Sequence, residues 1–329
     1  MTKFIQRVCM LSLLGLTLGT AQAADYRMRV SHQLPPSHHV SQVVERFAEE
    51  VKTNSGGKID VQVFGGEQLF KAQQNHMAVA RGQVEAALVI SMSWGGTIPE
   101  MQVFSIPYLI TTRDKLARLP GSPAAELLNR KFEERGVKNI AWLLDANNMA
   151  FTSQDKPLLT PNDFRGMKMR GLNKILDLGL IAMGAAPSVM PGSEIYQSLQ
   201  TGVIDGAGTS VGAVYSRRFF EVQKFAVATA MQSVYDNMIV NPKWWASLPE
   251  DMRQVIETAA ANAERALLPT TDEIDPAGVE RLRQAGMTVF VQTPEQAKVF
   301  VDVAQPPVMA EFLKSSPDAP RLVEMIRQL

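Results

Sequence analysis

The chain has 329 residues, more than one hydrophobic core usually organises, so its length predicts two lobes. Its residues are 46% hydrophobic and 20% charged, a composition typical of ordinary globular proteins and unlike that of disordered chains. The 33 basic residues balance the 33 acidic ones, so the overall charge favours neither nucleic acid nor an anionic membrane surface as a partner.

The first residues have the pattern of a secretory signal peptide. Lys3 and Arg7 precede a short apolar segment, and an Ala-Gln-Ala cleavage pattern follows directly before Ala24. The apolar segment is shorter than the roughly 20 residues that a membrane-spanning helix needs. We therefore predict that residues 1–23 are a cleaved signal, that the protein is periplasmic, and that Cys9, the only cysteine, is removed.

A strand, a helix and a second strand open the predicted mature chain. Residues 26–31 and 59–64 alternate in the way of half-buried strands, and the apolar positions of 40–51 recur at helical spacing. Parallel strands need such a crossover helix, so the pattern predicts that these two strands pair in parallel. A helix at 70–81 and an apolar strand at 84–90 follow.

Later elements bear on the division into lobes. Residues 124–135 predict a helix and residues 137–144 an apolar strand. A polar turn follows this strand, and we expect the first crossing between the lobes there. Towards the C-terminus, residues 249–268 predict a long helix, which Pro269 and Pro276 are expected to break or kink.

The segment from 160 to 210 carries the strongest local pattern. Its residues 167–170 alternate like a short half-buried strand and end on Arg170. Open α/β sheets place ligand contacts at the carboxyl ends of their strands, so Arg170 is a candidate ligand-binding residue. On this local pattern alone, a solvated arginine at a strand end is the competing interpretation.

Three motifs occur in order here, DFRGMKMR at 163–170, GAAP at 184–187 and SEIYQSLQTGVIDG at 193–206. Together they resemble the signature region of the DctP-type periplasmic solute-binding proteins of TRAP (tripartite ATP-independent periplasmic) transporters. The similarity extends over nearly all of the mature chain. It implies an α/β fold, the two-lobe, type II-like periplasmic-binding-protein fold, with a hinge and a ligand cleft between the lobes.

The resemblance also implies how the chain divides and what it does. Lobe I is expected to comprise 24–146 and 235–274, and lobe II to comprise 147–234 and 275–329. In the family, the lobes close on a small organic acid and deliver it to a membrane permease with a small and a large subunit. Neither catalysis nor a cofactor is needed, and a monomer is expected.

The resemblance assigns Arg170 to the carboxylate of the ligand. A guanidinium group suits this role because its planar fork of donors matches a carboxylate in two parallel hydrogen bonds. Thr209 takes the place of an asparagine that contacts the substrate in many relatives, and Gln33 lies in the first loop, which contacts the solute in the family. The other residues expected at the cleft are Trp94, Asn147 and Asn237.

One departure from the family limits the charge expected in the cleft. Many relatives carry a second arginine shortly after the first crossing, and residues 151–155 of this chain contain none. With Arg170 as its one expected arginine, the cleft is expected to hold a monocarboxylate. An apolar or aromatic group of that ligand would then contact Trp94.

Two other functions stay open at this point. A secreted two-lobe enzyme acting on an organic acid would need a nucleophile or a base, and the spacing of the residues indicates no Ser/His/Asp set. A partner of a chemoreceptor, which signals after binding, is compatible with solute binding.

The remaining candidate side chains are expected to play structural or solvated roles. Glu194 is expected in the first turn of a helix that Ser193 caps. No metal is expected, because the histidines lack the spacing of a metal site, and we expect them to be solvated. These histidines are His32, His38, His39 and His76.

Overall fold

The computed structural model describes residues 24–147, 149–268 and 270–329, with side chains for all but 270–275. The predicted signal segment and Pro269 lie outside the described residues. None of the described helices is both long enough and apolar enough to cross a bilayer.

The strands form two sheets, and helices cover both of them. In chain order, the strands are β1 (Tyr26–Ser31), β2 (Ile59–Phe64), β3 (Ala86–Ile90), β4 (Lys138–Ala146), β5 (Met149–Ser153), β6 (Lys168–Gly171), β7 (Ala186–Val189), β8 (Gly206–Ser210), β9 (Phe225–Thr229), β10 (Val234–Val240) and β11 (Thr288–Val291). The α-helices are α1 (His39–Asn54), α2 (Asn75–Ala80), α3 (Arg113–Arg118), α4 (Pro123–Glu134), α5 (Lys174–Ala182), α6 (Gly192–Gln200), α7 (Val211–Ser216), α8 (Pro242–Ser247), α9 (Glu250–Leu267), α10 (Thr270–Gln284), α11 (Pro294–Phe312) and α12 (Ala319–Arg327).

The first sheet has the strand order β2-β1-β3-β10-β4. β1 pairs in parallel with β2, which confirms the interpretation of the opening β-α-β pattern, whereas β10 runs antiparallel to β3 and β4. Successive strand residues point to opposite faces, so Leu88 of β3 packs in the core under α1 and α9, and Val89 packs in the core under α3, α4 and α12.

The second sheet has the strand order β11-β9-β5-β8-β6-β7. β5 is antiparallel to both β8 and β9, and β6 is parallel to β7 and β8. Ala150 of β5 packs in a core with α6, α7 and α10, and its neighbour Phe151 packs on the other face with α5 and α11. Each sheet is therefore covered by helices on both faces, and the two sheets are the centres of two lobes.

Two connections, one from β4 to β5 and one from β9 to β10, carry the chain between the lobes. β4 of the first sheet ends at Ala146, and β5 of the second begins at Met149. The chain returns between β9 and β10, and Val234 at the start of β10 pairs with Ala146. The two crossings therefore lie side by side at one edge of the first sheet.

Two predicted helices differ from their expected form. The helix expected at 70–81 is a 3-10 turn, Ala72–Gln74, followed by α2, because the Gln74 side chain accepts a hydrogen bond from the Lys71 amide and caps the turn. The long helix predicted at 249–268 is α9, and α10 begins separately at Thr270. Pro276 lies inside α10.

The helix α11 belongs to the cores of both lobes. Ala304 packs in a core of the second sheet and, like Val308, lies against Gly179 of α5, whereas Phe312 packs in a core of the first sheet. Pro306 and Pro307 lie inside α11, between those two contacts. α12 then packs on α4 in the first lobe.

Candidate functional site

A cleft lies between the two sheets, and its volume is about 960 Å³ with open solvent included. One wall comes from the loop after β1 and the exit of β3. The other comes from β5, β6, β8, α5, α6 and α7 of the second lobe. Most of its lining side chains are apolar, and the charged residues among them are Arg170, Arg217 and Asp145.

Arg170 is the penultimate residue of β6 and lines this cleft. Its Nε and Nη2 both donate to the carbonyl oxygen of Met190, each at 3.3 Å. Burial and, to a smaller extent, the charge of Arg217 lower the pKa of Arg170 to about 10, whereas Asp177 opposes the shift. Arg170 is therefore a half-buried cation at neutral pH, and no carboxylate of the described residues forms an ion pair with it.

Arg217 is a second, half-buried cation of the cleft that the sequence analysis did not identify. It follows α7, and its Nη2 donates to the carbonyl oxygen of Gln33 in the other lobe at 3.2 Å. A Cβ on Gly192 would lie 2.8 Å from Arg217 Nη2, so the guanidinium packs against the start of α6 only because that residue is glycine. Burial lowers the pKa of Arg217, while Glu67 and Asp145 raise it. The expectation of a single arginine in the cleft is therefore wrong.

Gln33 lines the cleft and is held from behind by a buried acid. Its Nε2 donates to Asp236 Oδ1 at 3.1 Å, and both side chains are buried. This contact directs Gln33 Oε1 away from Asp236, and Oε1 has no hydrogen-bond partner among the described residues. Gln33, whose main-chain carbonyl contacts Arg217, thus carries an unused side-chain acceptor.

Burial raises the pKa of Asp236 to about 7, and the hydrogen bond from Gln33 opposes that shift. A carboxyl group with a raised pKa binds its proton more tightly in the folded state than in the unfolded state. The protein therefore becomes less stable as the pH rises from the pKa of the unfolded state towards 7. Compared with an Asp236→Asn variant, we expect the wild-type free energy of unfolding to fall by about 1.4 kcal/mol per pH unit within pH 4–7. Urea unfolding of both proteins across this range measures the difference, and parallel profiles would contradict it.

An apolar wall faces the charged end of the cleft. Leu176 and Leu180 lie four residues apart on α5 and therefore share one helix face. They pack with Phe151 of β5 and Met231 of the loop before β10. Leu172 follows Arg170 by two residues and continues this wall towards the guanidinium.

Two hydrogen bonds close the mouth of the cleft between the lobes. Ser193 Oγ in the first turn of α6 donates to Glu67 Oε2 at 2.5 Å, and the other joins Arg217 to Gln33. Glu67 has a φ of 65°, a strained left-handed conformation for a residue with a Cβ. Its other carboxylate oxygen accepts from the amide of Ala72, which fixes its orientation.

Among the predicted site residues, the structure brings Arg170, Thr209 and Gln33 together in the cleft. Trp94 does not line it. Its side chain is fully buried between His76 and Phe132, because the 3-10 turn after β3 directs Met92 and Ser93 to the cleft instead.

Asn237 and Asn147 are not in the cleft lining either. Asn237 is fully buried within β10, between β3 and β4, on the face that packs in a core of the first lobe. Asn147 is half-buried in the connection from β4 to β5, between the lining residues Asp145 and Met149. In both regions the alternation of the strand decides which neighbour reaches the cleft.

The helix after β7 starts two residues earlier than expected. α6 begins at Gly192 with Pro191 in the N-cap position, so Ser193 lies inside the first turn and does not cap it. Glu194 does lie in that turn and is exposed, which agrees with a structural role.

His32, His38 and His76 are buried and His39 is half-buried, so the expectation that the histidines are solvated is wrong. His38 Nδ1 accepts from the amide of Val40 and thereby caps α1, and His39 Nε2 lies 2.8 Å from the carbonyl oxygen of Asp145. Burial lowers the pKa of His39 to about 4 and that of His38 well below its ordinary value. The side chains of His38, His39 and Asp145 lie within 4.8 Å of one another, but the bond to the carbonyl needs a proton on His39 Nε2, which leaves that nitrogen no lone pair for a metal.

Comparisons with known proteins agree with this geometry. A sequence model of the bacterial extracellular solute-binding proteins, family 7 (DctP), matches residues 30–315. A C4-dicarboxylate-binding periplasmic protein DctP of Rhodobacter capsulatus is 29% identical over 289 residues, which cover 87% of this chain and 86% of the relative.

Two solved structures extend the similarity to the fold. A TRAP periplasmic solute-binding protein of Desulfovibrio salexigens with bound orotic acid has a TM-score of 0.86 at 26% identity, covering 92% of this chain and 98% of the other. One of Rhodoferax ferrireducens with bound malonate has a TM-score of 0.85 at 25% identity, covering 92% of this chain and 97% of the other.

Proposed function

Because this chain belongs to the bacterial extracellular solute-binding proteins of family 7, which serve TRAP transporters, we propose that it captures a small organic acid in the cleft between its lobes. Closure of the lobes excludes water from the bound acid. The loaded protein then delivers the acid to the membrane permease, which has a small and a large subunit.

The half-buried guanidinium of Arg170 in the cleft is the observation that carries this proposal. A cation that has lost part of its hydration and has no carboxylate partner is unfavourable, because a single carbonyl oxygen offsets only part of that loss. A carboxylate from solution supplies the missing charge and matches the fork of donors. In this proposal, Arg170 binds the acid group, and Thr209 and Gln33 bind other polar atoms of the ligand.

The apolar wall determines the rest of the ligand. Leu172, Leu176 and Leu180 provide no hydrogen bonds, and neither does Phe151. A ligand that is polar throughout would lose hydration against this wall without compensation. We propose a monocarboxylate with an apolar or aromatic body, the acid at Arg170 and the body along the leucines.

The wider arrangement follows the family. The segment 1–23 is proposed to be removed on export, so that a monomeric protein without cofactor acts in the periplasm. Lobe I is proposed to comprise 24–146 and 235–274, and lobe II 147–234 and 275–329. The relatives are named as binding proteins, and we propose that this chain likewise performs no catalysis.

A thermal-unfolding screen of the mature protein against organic acids tests the proposal. A ligand at 100 times its dissociation constant is expected to add about 2.7 kcal/mol to the free energy of unfolding. We expect acids with an aromatic or branched body to give this shift, and the same bodies as primary amides to give none, because an amide lacks the charge that Arg170 needs. Equal shifts from acids and amides would contradict the role of Arg170.

The ligand recovered after prolonged incubation separates binding from catalysis. We expect mass spectrometry to find the acid unchanged and in full amount. Its conversion to a product, at a rate that depends on the protein, would identify an enzyme instead.

A further inference from the structure

The charged end of the cleft holds two cations in different surroundings. Arg170 has one acidic neighbour, Asp177, whereas Arg217 has two, Glu67 and Asp145. Asp145 itself lines the cleft. A negative ligand group is therefore held best at Arg170, because a second one beside Arg217 would also face Asp145.

The surroundings of Arg217 suit an uncharged oxygen that carries a proton. Arg217 supplies N–H donors and contacts the main-chain carbonyl of Gln33, and the side-chain Oε1 of Gln33 is a buried acceptor without a partner among the described residues. A hydroxyl group accepts from the one and donates to the other. A carboxylate could only accept hydrogen bonds from Arg217, and Gln33 Oε1 would still have no hydrogen-bond donor.

Both arginines contact the same short segment, which places the two polar positions near each other. Arg170 donates to the carbonyl of Met190, and Arg217 packs on Gly192 two residues later. The leucine wall begins at Leu172, beside Arg170. A ligand that satisfies all three features has a carboxylate, a hydroxyl close to it, and an apolar body.

We propose that the cleft is specific for 2-hydroxy acids with an apolar body, in which Arg170 binds the carboxylate while Arg217 and Gln33 bind the 2-hydroxyl group. This inference rests on the proposed capture of an organic acid. It makes Arg217 the residue that distinguishes a 2-hydroxy acid from the same acid without the hydroxyl.

Titration calorimetry with matched acids tests this specificity. Mandelate and phenylacetate differ by the hydroxyl group alone, and a hydrogen bond to a charged donor predicts that one enantiomer of mandelate binds about 10- to 100-fold more tightly than phenylacetate. In Arg217→Met, we expect that preference to vanish, whereas the loss of the contact between Arg217 and Gln33 weakens the binding of both acids alike. The control is Arg218→Met, because Arg218 is the exposed neighbour and pairs with Glu221.

A comparison of ligands keeps the test independent of how the variant folds. Fluoro(phenyl)acetate is similar in size to mandelate and has an electronegative fluorine in place of the hydroxyl group. It has no proton to donate to Gln33 Oε1, so wild-type protein should bind it about as weakly as phenylacetate. Equal affinity for mandelate and phenylacetate, or a preference that survives in folded Arg217→Met, would overturn the inference. Tighter binding of succinate than of mandelate would also overturn it, because Arg217 would then bind a second carboxylate. If none of these acids bound but an uncharged solute did, the proposed function itself would fail.

Discussion

Replacing Arg170 by alanine is expected to weaken the binding of the acid by roughly 30-fold to several-thousand-fold, the equivalent of about 2–5 kcal/mol. The loss is large because the carboxylate would be buried without its cation, and water cannot fully replace the guanidinium in a closed cleft. Titration calorimetry on the folded variant measures the effect. An affinity within threefold of wild type would end the assignment of Arg170 to the carboxylate.

Two further variants separate geometry from charge at this position. Arg170→Lys keeps the cation but loses the planar fork, so we expect its affinity to lie between those of wild type and Arg170→Ala. Arg165→Ala is the matched control, because Arg165 lies in the turn before the same strand and is exposed. Its removal is expected to leave the affinity unchanged.

Trp94→Ala is expected to lower the free energy of unfolding by about 3–5 kcal/mol. The indole is fully buried against His76 and Phe132, so its removal leaves a cavity in a core of the first lobe. Because Trp94 does not line the cleft, the folded variant should bind the acid with an affinity near that of wild type. Urea unfolding and calorimetry on the same sample measure both quantities.

The comparison variants address the polar part of the indole and its burial. Trp94 Nε1 has no hydrogen-bond partner among the described residues, so Trp94→Phe should cost much less than the change to alanine. Trp244→Ala removes an indole that is only half-buried and should also cost less. If the Trp94→Ala protein were as stable as wild type but bound the acid tenfold more weakly, Trp94 would instead be a ligand contact.

The elements that the sequence predicted well are those set by local periodicity. The alternation of 26–31 and 59–64 and the helical spacing of 40–51 determine which side chains can be buried, so they predict β1, β2 and α1 without tertiary information. Arg170 was also predictable, because a cation at the end of a short strand in a recognised motif has a defined place in an open α/β sheet.

The parts that the sequence did not predict depend on contacts between distant segments. Arg217 reaches the cleft only because α7 packs close to the loop that holds Gln33, 184 positions away, and because Gly192 leaves room. For Trp94 and Asn237, the prediction is wrong by one residue. Ser93 lines the cleft and Asp236 holds Gln33, and neighbouring side chains in a strand or turn point in different directions. His38 and His39 were expected in solvent because histidine is a polar residue. Their neutral rings instead stack on each other and pack in a partly apolar interior.

The two prolines of α11 have a mechanical consequence for the motion of the lobes. A proline has no amide hydrogen, so Pro306 and Pro307 remove two successive rungs from the hydrogen-bond ladder of the helix. The interruption lies between Ala304, which packs in a core of the second lobe, and Phe312, which packs in a core of the first. We expect α11 to act as a flexure with its compliant section at these prolines, so that both ends stay in their cores while the angle between the lobes changes.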